Sequence, residues 1–162
     1  MLRKMFFVLI FASSALGQDD KPRKDLLKRE ATVLRGAIDD AVYGANAGFP
    51  LLQGAKATYL EGYGFVVTLE TALGPTRNPF TSERSPSEVR TIVAQRRKEI
   101  QQKLENLLKE RARALQSMNP ADSLTIVLYL VNSNPADVPD LPAQIVLTTK
   151  KQNPDQVLIR EF

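Results

Sequence analysis

Residues 57–70, ATYLEGYGFVVTLE, constrain the fold more than any other stretch of this sequence. Aromatic and β-branched residues favour a pleated, half-buried surface, while Gly62 and Gly64 indicate a turn, a bulge or a close backbone approach. In one interpretation two strands pair as a hairpin through a two-residue turn at Gly62-Tyr63, whose first position needs a positive φ. In the other, one long strand runs through, and its two glycines leave a shallow groove for a helix or a ligand.

Three more strands are predicted in the second half of the chain. Residues 123–131, SLTIVLYLV, form a continuous apolar run that ends at Asn-Ser-Asn-Pro, which is typical of a central strand buried on both faces. Residues 144–150 resume as a strand, and residues 156–162 form the last one. Between them, Asn153-Pro154-Asp155 predicts a turn, so these two strands are expected to form a hairpin.

Two amphipathic helices are predicted. The first opens at Asp19-Asp20, which can accept from free backbone N–H groups, and it ends at Gly44. Its apolar residues recur at three- and four-residue steps and comprise Leu26, Leu27, Val33, Leu34, Ala37, Ile38, Ala41 and Val42.

The second helix starts at a capping box, Ser85-Pro-Ser-Glu88. The Ser85 side chain can accept from the backbone N–H of Glu88, and the Glu88 side chain can accept from the backbone N–H of Ser85. It continues to about residue 116. A helix of that length spans about 45 Å, whereas a nine-residue strand covers about 30 Å. We therefore expect part of this helix to project beyond the sheet, or to kink.

The order of these elements, α-β-β-α-β-β-β, predicts an α+β two-layer sandwich. About five mostly antiparallel strands form one sheet, with the two long helices on one of its faces. Without the leader described next, residues 18–162 have the usual length of a single domain and can hold one core.

Residues 1–17 are typical of a cleaved secretory signal peptide. Arg3 and Lys4 precede an apolar run, and Ala15 and Gly17 supply the small residues that a signal peptidase requires. The apolar run is too short for a membrane anchor, which needs about 20 residues, so we expect no stable membrane span after cleavage. An exported chain without cysteine is typical of bacteria, which predicts a periplasmic or extracellular location.

The charge of the chain argues against nucleic-acid binding. Loss of Arg3 and Lys4 with the leader leaves 20 basic and 18 acidic side chains, a net charge of about +2. A nucleic-acid-binding domain usually has a strongly basic patch or domain.

Histidine and cysteine are absent, which removes the Ser-His-Asp and Cys-His catalytic arrangements and most zinc sites. No cofactor motif or metal-binding spacing is present, so neither a cofactor nor a metal is expected. The remaining catalytic candidates are Glu61 and Glu70, because paired carboxylates can hydrolyse a glycan. A hairpin would place them too far apart for that reaction.

Six residues are candidates for binding. Tyr59, Tyr63 and Phe65 could line a ligand pocket, and Phe80 lies in a proline-containing loop where it could contact a partner. Arg96 and Arg97 interrupt the apolar pattern of the second helix and could form a basic patch for an acidic partner. Arginine stems can equally rest on apolar neighbours, which is the simpler interpretation.

The sequence favours a non-enzymatic exported protein that binds an envelope partner or associates with itself. Two alternatives remain open at this point. One is an envelope glycan hydrolase that uses Glu61 or Glu70, and the other is a carrier of a small ligand.

Overall fold

The computed structural model describes residues 21–44, 51–75 and 84–162. The elements are α1 (Lys21–Tyr43), β1 (Leu51–Leu60), β2 (Gly64–Ala72), α2 (Pro86–Ala114), β3 (Ser123–Val131), β4 (Gln144–Lys150) and β5 (Asn153–Glu161). The predicted α+β class and the order α-β-β-α-β-β-β are confirmed. The proposed cleavage site and Phe80 lie outside the described residues.

The five strands belong to one mixed sheet whose spatial order follows chain order from β1 to β5. Three neighbouring pairs are antiparallel: β1–β2, β3–β4 and β4–β5. β2 and β3 are parallel, with Phe65 opposite Leu124, because the crossover through α2 returns the chain to the same strand direction. The predicted sheet of mostly antiparallel strands is therefore confirmed.

Both helices pack on one face of the sheet and contact each other. That face carries alternate strand residues, such as Phe65, Val67 and Leu69 of β2, which are all buried. The largest fully buried side chains come from both layers and comprise Leu34, Ile38, Phe65, Leu69, Leu73, Ile100, Leu104, Leu108, Leu124, Ile126, Leu128 and Ile145. The core therefore lies between the helices and the sheet, as in a two-layer sandwich.

β1 and β2 form a hairpin rather than one long strand. The N–H of Tyr63 donates to the carbonyl oxygen of Leu60 at 3.1 Å, so the turn is centred on Glu61-Gly62, one position earlier than predicted. Gly62 has a φ of 76°. A positive φ at the third residue of such a turn is characteristic of type II and favours glycine.

Gly64 is required for a different reason, the close approach of β3. Its φ is 120°, and a Cβ atom at this position would overlap the backbone of Ser123. The N–H of Ser123 also donates to the carbonyl oxygen of Tyr63 at 2.7 Å, which holds the two strands together there. The second glycine therefore belongs to a tight backbone junction, and the shallow groove of the alternative interpretation is not formed.

The predicted apolar stripe of α1 is buried or partly buried at every position but one. Leu34, Ile38 and Val42 are buried, and Leu27 packs partly against the core. Val33, which was predicted on the same stripe, is 54% exposed. It precedes Leu34 by one residue, which rotates it by about 100° around the helix, away from the sheet.

The capping box at the start of α2 is confirmed. The backbone N–H of Ser85 donates to Oε2 of Glu88 at 2.7 Å, and the backbone N–H of Glu88 donates to Oγ of Ser85 at 3.3 Å. Pro86 occupies the first turn, where its missing N–H leaves no gap in hydrogen bonding.

α2 buries apolar side chains along its whole length, from Val89 to Ala112. The connection between β3 and β4 supports it outside the strands. The Arg90 guanidinium donates to the carbonyl oxygen of Asp137 at 3.3 Å, and Val138 and Leu141 pack against the core. Among the described residues, this part of the helix therefore presents no free apolar end.

β3 is the central strand, as predicted, but only its face toward the helices is buried along the whole strand. Leu124, Ile126 and Leu128 face the helices and are buried. On the other face Tyr129 is 47% exposed and Val131 is 40% exposed. The prediction of burial on both faces is wrong, because neither helix packs on the second side of the sheet.

β4 and β5 form the predicted hairpin, with a different turn. The turn residues are Lys151 and Gln152, and β5 already begins at Asn153. Pro154 consequently lies inside the edge strand β5 rather than at a turn. Proline is tolerated there because the outer side of an edge strand does not need an N–H donor.

Candidate functional site

The most distinctive surface of this protein is the face of the sheet opposite the helices, which we call the open face. Within the described ranges, neither helix packs on it. Register pairs assign to it Lys56, Thr58, Leu60, Gly64, Val66, Thr68, Glu70, Ser123, Thr125, Val127, Tyr129, Val131, Gln144, Val146, Thr148, Lys150, Leu158, Arg160 and Phe162.

The open face mixes apolar side chains with polar ones, whereas a solvated face is usually mostly polar. Leu60 and Tyr129 are each 47% exposed, and Leu158 is 52% exposed. Val66, Val127 and Val146 fill the centre of the face and are half-buried by their neighbours. A sheet with one solvated face normally alternates apolar residues inside with polar residues outside. This face departs from that pattern on β3 above all.

A short chain of hydroxyl groups crosses the open face near the β1–β2 turn. The Tyr63 hydroxyl lies 2.7 Å from Oγ1 of Thr125, which lies 3.0 Å from Oγ1 of Thr148 on β4. Tyr63 thus lies over the end of β3 and buries Thr125, although the tyrosine itself remains 41% exposed. The three hydroxyl groups are hydrogen-bonded to one another, so none of them needs a partner from outside the chain.

The charged residues of the open face all lie at its perimeter. Lys56 and Arg160 belong to the edge strands β1 and β5, while Glu70 and Lys150 lie toward strand ends. β3 contributes only Ser, Thr, Val, Tyr and Val to this face. The result is an uncharged centre surrounded by a charged rim, which is the composition of a protein interface.

The two carboxylate candidates do not come together. Glu61 lies in the β1–β2 turn, where its side chain is 90% exposed and 4.0 Å from Arg23. Glu70 lies at the other end of β2 on the open face. The stretch from Gly64 to Glu70 alone spans about 20 Å, whereas glycosidase carboxylates lie about 5 to 10 Å apart. The pair does not match either standard glycosidase geometry.

The three aromatic candidates for a ligand pocket lie on opposite sides of the sheet. Phe65 is fully buried on the helix side, where Tyr59 meets it edge-on with a centroid distance of 5.2 Å. Tyr63 lies on the open face instead. They therefore do not line one shared cavity.

Tyr59 is held by polar contacts at the margin of the core. Its hydroxyl donates to Oδ2 of Asp122 at 3.1 Å, and the guanidinium of Arg23 lies over its ring. Burial, followed by the hydrogen bond to Asp122, raises the pKa of Tyr59 above 10.0. These contacts fasten the β1–β2 hairpin to the segment that leads into β3.

The two arginine candidates make contacts inside the fold. The Arg96 guanidinium donates to the carbonyl oxygens of Leu73 and Gly74, each at 3.2 Å. Arg97 forms an ion pair with Glu161 at the end of β5. Both side chains link α2 to ends of strands, which favours the structural interpretation over an anion-binding patch.

Sequence reasoning missed a second polar cluster, at the β-bulge of β1. The bulge removes the N–H of Ala55 from the regular ladder, and Oδ1 of Asp39 accepts it at 2.7 Å. The Tyr43 hydroxyl contacts the backbone carbonyl oxygens of Gln53, at 2.9 Å, and Glu70. Burial, together with the negative charge of Asp39, raises the pKa of Tyr43 from 10.0 to about 12.

Sequence reasoning also missed the open face, although β3 carries a signal for it. Leu and Ile occupy the positions that face the helices, while Thr, Val and Tyr alternate with them. This alternation between larger aliphatic residues and Thr, Val or Tyr indicates that the two faces of β3 lie in different environments.

No group of three or more His, Cys, Asp or Glu side chains within residues 21–44, 51–75 and 84–162 is placed to hold a metal ion. In the same ranges, neither helix combines the length and the apolar composition that a membrane-spanning helix requires. The open face is therefore the surface from which we infer what the protein does.

Comparison with family models, with curated proteins and with solved structures found nothing that matches this chain.

Proposed function

We propose that this chain is an exported bacterial protein that acts by binding, either to an envelope component or to another copy of itself, and not by catalysis. The open face carries this proposal. It combines exposed Leu60, Tyr129 and Leu158 with an uncharged centre, and exposed apolar surface with a polar rim is characteristic of interaction sites.

Support for export comes from residues 1–17, with their basic start, apolar run and small residues before Gln18. Support for binding comes from the arrangement of side chains. The carboxylates Glu61 and Glu70 lie at opposite ends of β2, and the polar clusters around Tyr43 and Tyr59 bond to the protein itself.

A capture experiment tests the proposal. Protein purified from cells that express the full chain is immobilised and exposed to envelope extract, in parallel with its Tyr129→Glu variant. Tyr129→Glu places a charge on the central strand of the open face and is expected to abolish capture of envelope components, of further copies of the chain, or of both.

Val33→Glu is the matched control. Like Tyr129, Val33 is an exposed hydrophobic residue, at 54%, but it lies on α1. It should leave capture unchanged. Binding that survives Tyr129→Glu, or the absence of any bound component and of self-association, would contradict the proposal.

A further inference from the structure

We infer that the partner of the open face is a second copy of this chain, packed sheet against sheet around a two-fold axis. The inference rests on the proposed function and specifies its partner. Four observations lead to it: the size of the face, the position of its charges, the character of the sheet edges and the side chains of the face.

The area of the open face is close to the lower limit for a stable dimer. Five strands at about 4.8 Å, with paired lengths of seven to nine residues at about 3.3 Å, give a face of about 550 to 700 Å². Two such faces in contact remove about 1,100 to 1,400 Å² from water, and stable interfaces begin near 1,200 Å². Most of the face is needed, which favours a flat partner of the same width.

The charge distribution allows the open faces of two copies to pack against each other. An isologous contact brings the same patch of both copies together, so a charged centre would face an identical charge. The centre of this face, Val66, Thr68, Val127 and Val146, is uncharged. Lys56 and Arg160, on the edge strands, can keep their charges in water at the rim.

The two edges of the sheet are unsuited to strand addition, which leaves the face as the available surface. On β1, the ladder is interrupted by register shifts between Leu51 and Lys56. On β5, Pro154 lies inside the strand, and Arg160 carries a charge. Bulges, prolines and charged residues are the usual features that prevent edge-to-edge association.

The side chains of the face also suit sheet packing. Two sheets that pack face to face lie about 10 Å apart, with short side chains interdigitating between them. Valine and threonine fill the centre, and the larger Tyr63 and Tyr129 lie toward opposite ends of β3, since Tyr63 lies over Thr125. Tyrosine is enriched in interface cores and supplies the anchors that such a contact needs.

Light scattering over a range of protein concentrations tests the inference. The purified full-chain product is expected to have twice the mass of one chain. Tyr129→Glu and Leu158→Glu should each raise the dissociation constant by about 30-fold or more, as expected for loss of an interface anchor. Val33→Glu should leave it unchanged, and circular dichroism verifies that all variants are folded.

The absence of cysteine allows a second, independent measurement. A single thiol introduced by Val131→Cys lies on the open face, whereas one introduced by Val33→Cys lies on α1. Thiol labelling at Val131→Cys should slow as protein concentration rises, because dimerisation covers it. Labelling at Val33→Cys should be independent of concentration.

The outcomes separate this inference from the proposed function. A monomer at all concentrations, with capture of an envelope component that Tyr129→Glu abolishes, would overturn the dimer and leave the binding function standing. A monomer without any capture that depends on the open face would overturn both. A dimer that is insensitive to Tyr129→Glu and Leu158→Glu would show that copies associate elsewhere, and would also overturn the inference.

Discussion

Gly64 is the residue whose replacement should be most damaging. Its φ of 120° is unfavourable for any residue with a Cβ atom, and the backbone of Ser123 occupies the space that this atom would need. Gly64→Ala should therefore lower the free energy of unfolding by at least about 3 kcal/mol, because strain and overlap with backbone act together. Urea denaturation monitored by circular dichroism measures the change.

Two other glycines provide the controls for this prediction. Gly36 lies inside α1 with nothing within 4 Å of the position that a Cβ atom would take, so Gly36→Ala should stabilise the protein by about 0.5 to 1 kcal/mol. Gly62 also has open space but a φ of 76°, and Gly62→Ala should cost about 1 kcal/mol. Equal effects at Gly62 and Gly64 would contradict the close approach of β3.

Tyr43 should remain protonated when ordinary tyrosines ionise. Its folded pKa of about 12 exceeds the ordinary value of 10.0, so folding favours the neutral hydroxyl. The resulting contribution to stability is complete below pH 10 and is lost as the pH rises from 10 toward 12. At neutral pH, Tyr43→Phe should cost about 1 kcal/mol through loss of its hydrogen bonds.

Absorbance at about 295 nm, where phenolate absorbs, measures this ionisation directly. Up to about pH 11, the wild type and Tyr43→Phe should show nearly the same increase, because Tyr43 contributes little phenolate in this range. Circular dichroism at each pH verifies that both proteins stay folded. If the absorbance increase of the wild type at this pH exceeded that of Tyr43→Phe by the amount expected for one fully ionised tyrosine, the elevated pKa would be refuted.

At the scale of elements, the start of α2 depends on its capping box. Ser85→Ala removes the acceptor for the Glu88 N–H and should cost about 1 kcal/mol, whereas Ser85→Asp keeps an acceptor and should restore most of the stability. Urea midpoints of the three proteins at neutral pH give these differences. A loss as large in Ser85→Asp as in Ser85→Ala would contradict a capping role.

The carboxylate of Glu88 makes this cap sensitive to acid. Hydrogen bonds from Ser85 lower the pKa of Glu88 below its ordinary value of 4.5, so the stabilisation is present above about pH 4.5 and is lost as the pH falls. The wild type should exceed Glu88→Gln in urea midpoint at neutral pH, and the difference should shrink at about pH 3. An unchanged difference at the two pH values would exclude this explanation.

Local sequence signals predicted the elements well because their causes are local. The Ser85 cap, the positive φ at Gly62 and the apolar stripe that ends at Val42 each depend on residues within a few positions. The turn at Lys151-Gln152 was missed because a proline signal at Pro154 competed with it, and an edge strand tolerates that proline.

The candidate site was harder to predict because it depends on what is missing from one side of the sheet. The composition of β3 suits burial on both faces, and only the placement of both helices on one side leaves Tyr129 exposed. The cluster of Asp39, Tyr43 and the Ala55 N–H likewise joins elements that no local pattern connects. Such features arise from tertiary packing and not from sequence periodicity.

At the scale of the whole molecule, the proposed export makes a prediction about mass. The protein recovered from the periplasm or medium of cells that express the full chain should begin at Gln18, because Ala15 and Gly17 suit a signal peptidase. Intact-mass spectrometry gives the N-terminus directly. Replacing Ala15 with Arg should prevent cleavage, and recovery of an unprocessed wild-type chain would refute the assignment.

The agreement between strand order and chain order has a consequence for how the protein folds. Each strand from β2 to β5 pairs with the strand that precedes it in the chain, and three of these four pairings join strands that run antiparallel. Short loops close quickly, whereas the parallel pairing of β2 with β3 must wait until the chain has crossed α2. The β1–β2 hairpin and the antiparallel β3–β4–β5 unit should therefore form first, and their union through the β2–β3 pairing should set the folding rate.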